Sequence, residues 1–69
     1  MELFEKINEE VKKRGLTIAA LEREAGIGNG AISGWKVSSP TLKKLEAVAS
    51  ALGMKVSDLM KEVEDGAQV

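Results

Sequence analysis

A chain of 69 residues allows one small domain, and a domain of this size buries only about 60% of its extended-chain surface, so its hydrophobic core must be thin. The absence of cysteine and histidine excludes disulfides, thiolate metal sites and a histidine-dependent hydrolytic triad, and it fits a reducing cytoplasm. The net charge is −1, but residues 1–56 carry nine basic and seven acidic side chains, so the acidic excess lies in residues 57–69.

The first predicted helix covers residues 1–14. Its apolar side chains recur at helical spacing and share one face; they are Leu3, Phe4, Ile7 and Val11. Acidic residues stand near its start, and the basic run Lys12-Lys13-Arg14 stands at its end, an arrangement that complements the helix dipole. Gly15 then ends the helix.

The second predicted helix covers residues 17–25 and leads into a tight turn. Thr17 is its expected N-cap, because the threonine oxygen can accept a free backbone N–H. Its apolar face consists of Ile18, Leu21 and Ala25. Gly26 ends it, because the turn requires a positive φ that only glycine adopts cheaply. Ile27 is apolar inside the turn, so the turn is expected to face a core.

The third predicted helix covers about residues 29–36. It contains two interior glycines, each of which costs about 1 kcal/mol relative to alanine. We therefore expect packing, rather than helix propensity, to hold this helix. The packing residues are Ile32 and Trp35, and Trp35 should be mostly buried against Leu21 and the fourth helix.

Two further helices follow the connection of residues 37–40, where Pro40 excludes a continuing helix. The fourth helix begins either at the Ser39-Pro40 pair or with Thr41 as its N-cap, and Gly53 ends it. One face of it is apolar and contains Leu42, Leu45, Val48, Ala49 and Leu52. The fifth covers about residues 56–62, with apolar Val56, Leu59, Met60 and Val63. The domain would span residues 1–63, and residues 64–69 would be a frayed acidic tail.

The offsets of six residues in the second and third helices make the pattern specific; they are Leu21, Ala25, Gly26, Ile27, Ile32 and Trp35. This pattern resembles the helix-turn-helix of the Cro and phage-repressor-type (XRE-like, lambda-repressor-like) DNA-binding family. The resemblance covers roughly residues 3–63 and includes the ending Ala-Ser-Ala-Leu-Gly of residues 49–53. It implies an all-α, five-helix domain in which helices 2 and 3 form the helix-turn-helix.

The chain departs from the family pattern at several positions. Ile18 stands where the family often has glutamine, and Gly28 stands where it usually caps the third helix with serine or threonine. Glu22 stands where the family packs a small residue, so we expect its carboxylate either to reach solvent or to pair with a base such as Lys12 or Arg14.

The resemblance implies that the third helix lies in the major groove of DNA. The implied base-contacting residues are Gly28, Asn29, Gly30, Ser33, Gly34 and Val37. Only Asn29 and Ser33 offer side-chain hydrogen bonds, and asparagine suits adenine. The implied phosphate-contacting residues are Thr17, Lys36, Ser38, Ser39, Thr41, Lys43 and Lys44. A solvated surface explains Lys43 and Lys44 equally well, and for the basic run at residues 12–14 we favour the helix dipole over DNA contact.

Three functions are compatible with this pattern, and catalysis is not expected because histidine and cysteine are absent. The first is a phage-type transcriptional regulator that binds an inverted-repeat operator as a weak homodimer, with Met60 and Val63 exposed for the dimer contact. The rival expectation for these two residues is that all four apolar side chains of the fifth helix complete the core. The second is the antitoxin of a toxin–antitoxin pair. The third is a protein-binding module that keeps the fold without tight DNA binding. We expect no cofactor, no metal and, because no apolar run approaches ~20 residues, no membrane span.

Overall fold

The computed structural model describes residues 2–61 and 63, and all regular secondary structure in these residues is helical. The five helices are α1 (Leu3–Lys13), α2 (Ile18–Ala25), α3 (Ala31–Gly34), α4 (Leu42–Ala51) and α5 (Val56–Leu59). The prediction of an all-α, five-helix fold is confirmed. None of the described helices is long and apolar enough to span a membrane. The predicted frayed tail lies outside the described residues.

Side-chain caps begin the two longest helices after α1. The hydroxyl oxygen of Thr17 accepts the N–H of Ala20 at 3.0 Å, which confirms Thr17 as the N-cap of α2. The hydroxyl oxygen of Thr41 accepts the N–H of Lys44 at 3.2 Å. Thr41, rather than the Ser39-Pro40 pair, therefore begins α4.

A left-handed glycine ends α2 and starts the turn toward α3. Gly26 has a φ of +73°, its N–H donates to the carbonyl of Arg23, and the N–H of Ile27 donates to the carbonyl of Glu22 at 3.0 Å. These two bonds satisfy carbonyls that the helix end would otherwise leave free. The ends of α1 and α4 close with the same pair of bonds at their own glycines. The three predicted glycine stops are confirmed.

The core of the described residues receives side chains from all five helices. Nine apolar side chains are buried: Ile7, Val11, Leu21, Ile32, Leu45, Val48, Ala49, Leu52 and Leu59. α2 lies at the centre of this arrangement, because it packs against α1, α3 and α4. Leu42 was expected on the core face of α4 but is 64% exposed. As the first residue of α4, it lies one turn before Leu45 and extends past the edge of the core.

The predicted lengths of α3 and α5 were wrong. α3 has four residues instead of about eight, because Gly30 adopts a φ of +89° ahead of it and the bonds after it tighten to i→i+3. Trp35 packs against the edge of the core and keeps only a minor part of its surface exposed, as expected. α5 is also shorter than predicted and ends at Leu59, which is fully buried.

A cluster of charges joins the end of α1 to the end of α4. The carboxylate of Glu10, on a residue only 4% exposed, pairs with Arg14 and lies 3.4 Å from Lys6 Nζ and 3.5 Å from Lys13 Nζ. Arg14 Nε also donates to the carbonyl of Leu52 at 3.1 Å. The hydrogen bond from Arg14 lowers the pKa of Glu10, and burial of the carboxylate opposes that shift. Lys13 and Arg14 therefore have a structural role within the domain.

Candidate nucleic-acid interface

The carboxylate of Glu22 lies beneath the turn and holds the start of α3. The residue is 3% exposed; Oε1 accepts the N–H of Gly30 at 3.0 Å and Oε2 accepts the N–H of Ile32 at 3.0 Å. The expectation that Glu22 reaches solvent or pairs with Lys12 or Arg14 was wrong. Its partners are backbone donors from a different helix, which no side-chain pattern could indicate.

The bonds of Glu22 replace a local cap that α3 lacks. The N-cap residue of α3 is Gly30, which has no side-chain oxygen to offer the first turn. A carboxylate from α2 supplies that oxygen instead, and hydrogen bonds to a charged acceptor contribute about 1.5–3 kcal/mol each. Such bonds also offset the cost of removing the carboxylate from water. The signal in the sequence was an acid on the inner face of α2 combined with a third helix that had no oxygen-bearing cap.

The six predicted base-contacting residues all lie exposed along one stretch that includes α3. Gly30 needs glycine for its left-handed backbone. Gly28 and Gly34 lie outside the left-handed region, and a Cβ at either would meet no atom of the described protein within 4 Å. Val37 is 92% exposed. The side chain of Asn29 makes no hydrogen bond within the described residues, so its amide is available to a partner.

The seven predicted phosphate-contacting residues are also exposed. Thr17 and Thr41 use their hydroxyl oxygens to accept helix N–H bonds, which leaves each hydroxyl proton free to donate to a phosphate. Ser38 differs, because both its hydroxyl and its N–H donate to the carbonyl of Gly34, at 3.0 and 3.1 Å. A phosphate contact by Ser38 would have to replace one of these bonds.

The lysines among these candidates lie in two different surroundings. Lys36 Nζ lies 4.6 Å from the centroid of the Phe4 ring, a cation–π contact that holds the ammonium against α1. Lys43 and Lys44, in the first turn of α4, are exposed and form no ion pair within the described residues.

Arg23 is a candidate that the sequence interpretation missed. Its guanidinium makes no hydrogen bond or ion pair within the described residues. Arg23 and Asn29 line the same open pocket of about 400 Å³ between α2 and the turn, together with Ala19, Glu22 and Ile27. The signal available in the sequence was its position: Arg23 is outside the predicted apolar face of α2 and three residues before Gly26. A guanidinium that has no partner among the described residues and lines the same pocket as Asn29 is well suited to an anionic or hydrogen-bonding partner.

The residues predicted for a dimer contact border the connection between α3 and α4. Met60 and Val63 are half-buried and line an open groove of about 390 Å³ with Trp35, Val37 and Pro40. They were expected to be exposed, and the rival expectation was that they complete the core; the observed burial lies between the two. Dimerisation through them stays a prediction.

The comparisons with known proteins agree with this geometry. A family model described as a Cro/C1-type HTH DNA-binding domain matches residues 6–65, which include α2 to α5 and most of α1. No curated protein matches the chain. Among the described residues, no group of three or more acidic side chains is arranged to hold a metal ion.

Proposed function

The chain belongs to the Cro/C1-type helix-turn-helix DNA-binding domain family, and on that premise we propose that it is a phage-repressor-type transcriptional regulator that binds an inverted-repeat operator as a homodimer. The observation that carries this proposal is the common exposure of the six predicted base-contacting residues around α3, with the start of α3 fixed from α2. Such a regulator acts in the cytoplasm, without a cofactor.

In this proposal α2 and α3 form the helix-turn-helix, and few side chains read bases. Asn29 presents the amide that pairs with adenine, and Ser33 offers an undiscriminating hydroxyl. The glycines at 28 and 34 keep the surface low, so the protein backbone can approach the floor of the groove closely. Most of the affinity then comes from phosphates and from the shape of the DNA.

The phosphate contacts surround that surface. Thr17 and Thr41 stand at the starts of α2 and α4, where free N–H groups also favour anions. Lys43, Lys44 and Arg23 supply positive charge that no carboxylate of the described residues neutralises. These contacts position the protein on the duplex without reading its sequence.

A homodimer would supply the specificity that one such motif lacks. Helix-turn-helix dimers place two motifs about one DNA turn apart, ~34 Å. The half-buried Met60 and Val63 give a second copy a small apolar contact. A contact of this size would be weak and would form fully on DNA, where adjacent half-sites raise the effective concentration.

Selection of bound sites from random DNA tests this proposal. The full chain is incubated with random duplexes at low salt, and the recovered sequences are aligned. Recovery of an inverted repeat with an adenine preference in each half-site is the expected result. Recovery of single half-sites only would overturn the homodimer, and recovery of no enriched sequence would overturn sequence-specific DNA binding.

One observation favours a second function, a protein-binding module. Three of the six predicted base-contacting residues are glycine and a fourth, Val37, is apolar and 92% exposed, so this surface offers DNA few hydrogen bonds. An apolar, low surface of this kind also suits a protein partner. Failure to bind any duplex even at low salt, where phosphate contacts are strongest, would favour this function.

A further inference from the structure

We infer that Glu22 is a positioning residue for base recognition: its buried carboxylate fixes the backbone that carries Asn29, so the base preference read by Asn29 depends on an acid that never touches DNA. The inference rests on the proposed function. Its structural basis is the pair of 3.0 Å bonds from the carboxylate to the N–H groups of Gly30 and Ile32.

The backbone around Asn29 has little else to fix it. Asn29 stands between Gly28 and Gly30, and glycine has more accessible backbone conformations than any other residue. A Cβ at Gly28 would meet no atom of the described protein within 4 Å, so side-chain packing does not confine that position. The side chain of Asn29 forms no hydrogen bond with any other described residue, so its own contacts do not hold it in place.

The carboxylate ties this segment to a helix outside it. Other bonds near the turn are local, such as those from Ala31 N–H to Gly28 O and from Gly34 N–H to Gly30 O. The bonds from Glu22 span eight and ten residues and connect the segment to α2, which is anchored in the core through Leu21. The direction of Asn29 relative to α2 is therefore set by the oxygens of Glu22 together with the packing of Ile32 in the core.

The carboxylate is required because both of its oxygens accept. Glutamine has the same shape but offers one oxygen and one NH₂ group, so Glu22→Gln keeps one bond and sets an NH₂ donor against the other N–H. Aspartate keeps the charge on a side chain one methylene shorter. The two variants thus weaken the hold on the segment in different ways.

A role in positioning differs from a role in stability in what it does to discrimination. If Glu22 only stabilises the fold, its loss weakens binding to all DNA sequences alike. If Glu22 positions Asn29, its loss removes the preference at the base pair that Asn29 reads, a discrimination of roughly tenfold to hundredfold. The two effects are separable because discrimination is a ratio of two dissociation constants measured on the same folded protein.

The experiment compares the full chain with E22Q, E22D, N29A and the double variant E22Q/N29A. The matched control is E24Q, which removes an exposed acid from the same helix. Dissociation constants are measured for the selected operator and for an operator changed at the base pair whose preference N29A abolishes. Thermal melting sets a temperature at which each variant is folded, and amide exchange reports the N–H groups of Gly30 and Ile32.

We expect the discrimination of E22Q and of E22D to fall at least threefold, and at least one of the two amides to lose protection in each, while E24Q keeps the discrimination and the protection. The double variant should discriminate no less than N29A alone, because Glu22 acts through Asn29. Equal weakening of both operators, or additive loss in the double variant, would overturn the inference, and so would unfolding of both E22Q and E22D. Absence of DNA binding by the unmodified chain would instead overturn the proposed function.

Discussion

Two carboxylates are almost fully buried within the described residues, and the domain uses them differently. Glu10, at the end of α1, is surrounded by the cations Lys6, Lys13 and Arg14. Glu22, at the turn, accepts bonds from two backbone N–H groups and pairs with no cation of the described residues. The carboxylate of Glu10 pairs with cations that connect the end of α1 to the end of α4. The carboxylate of Glu22 replaces a helix cap and determines the shape of a functional surface.

The two carboxylates differ in what happens to their partners when the carboxylate is removed. The cations around Glu10 can turn toward water, because Lys and Arg have long flexible stems. The N–H groups under Glu22 belong to the backbone and cannot leave. Loss of Glu22 therefore leaves two backbone N–H groups without their acceptor, whereas loss of Glu10 leaves cations that water can solvate.

The largest expected effect is on stability and tests the difference between Glu10 and Glu22 directly. Glu22→Ala should lower the free energy of unfolding by about 3–5 kcal/mol, because two charge-assisted bonds are lost and two N–H groups remain without acceptors. Glu10→Ala should cost less, about 1 kcal/mol, because two of its three partners, Lys13 and Arg14, are partly exposed and can be hydrated when the carboxylate is lost. Urea denaturation of both variants measures the difference. Equal losses would mean that Glu10 is as essential as Glu22.

The glycines of the α3 surface sharpen the comparison with an effect of about 1 kcal/mol. Gly34→Ala should stabilise the protein by up to that amount, since it is helical and its Cβ would meet nothing within 4 Å. Gly30→Ala should destabilise it by a similar amount, because its φ is +89°. Thermal melting gives both signs. A stabilised Gly34→Ala variant that also binds its operator more weakly would support close approach of DNA at this position.

The acid side of the stability profile should distinguish Glu10. Its pKa is lowered in the folded state, so its contribution is fully present above the ordinary glutamate range and is lost as pH falls through the lowered pKa. The gap in free energy of unfolding between the unmodified protein and Glu10→Gln should therefore narrow by about 0.5–1 kcal/mol as pH falls from 6 toward 2. Melting temperatures across that range measure the gap. A gap independent of pH would mean that the ion pairs contribute nothing.

Sequence reasoning succeeded where the determinants of structure are local. Thr17, Gly26 and Gly53 mark helix ends through their own side chain or backbone freedom, and all three predictions were confirmed. It failed at α3, where the left-handed Gly30 is held by a carboxylate from another helix. It also misplaced Leu42, because helical periodicity gives a face but not the edge of the core.

The same distinction applies to the candidate site. The spacing around Gly26 was enough to find the exposed surface, because that spacing resembles a family pattern. Glu22 was misread, because its partners are backbone atoms that the sequence does not distinguish from any others. Arg23 was missed, because exposure and a shared pocket with Asn29 are properties of the folded chain.

The smallest effect concerns the basic residues. It tests whether those at the end of α1 act within the domain while those at the start of α4 contact DNA. Lys43 is exposed at the start of α4 and forms no ion pair within the described residues, whereas Lys12 is an exposed cation in the last turn of α1, where it complements the helix dipole. Lys43→Ala should weaken binding to all operator variants equally and reduce the slope of log K against log salt by about 0.9, the value for one lost phosphate contact. Lys12→Ala should change that slope by much less. Fluorescence anisotropy at several salt concentrations measures both slopes. If Lys12→Ala flattens the slope as much as Lys43→Ala does, the end of α1 also contacts DNA, and the assignment of different roles to these two groups of cations is wrong.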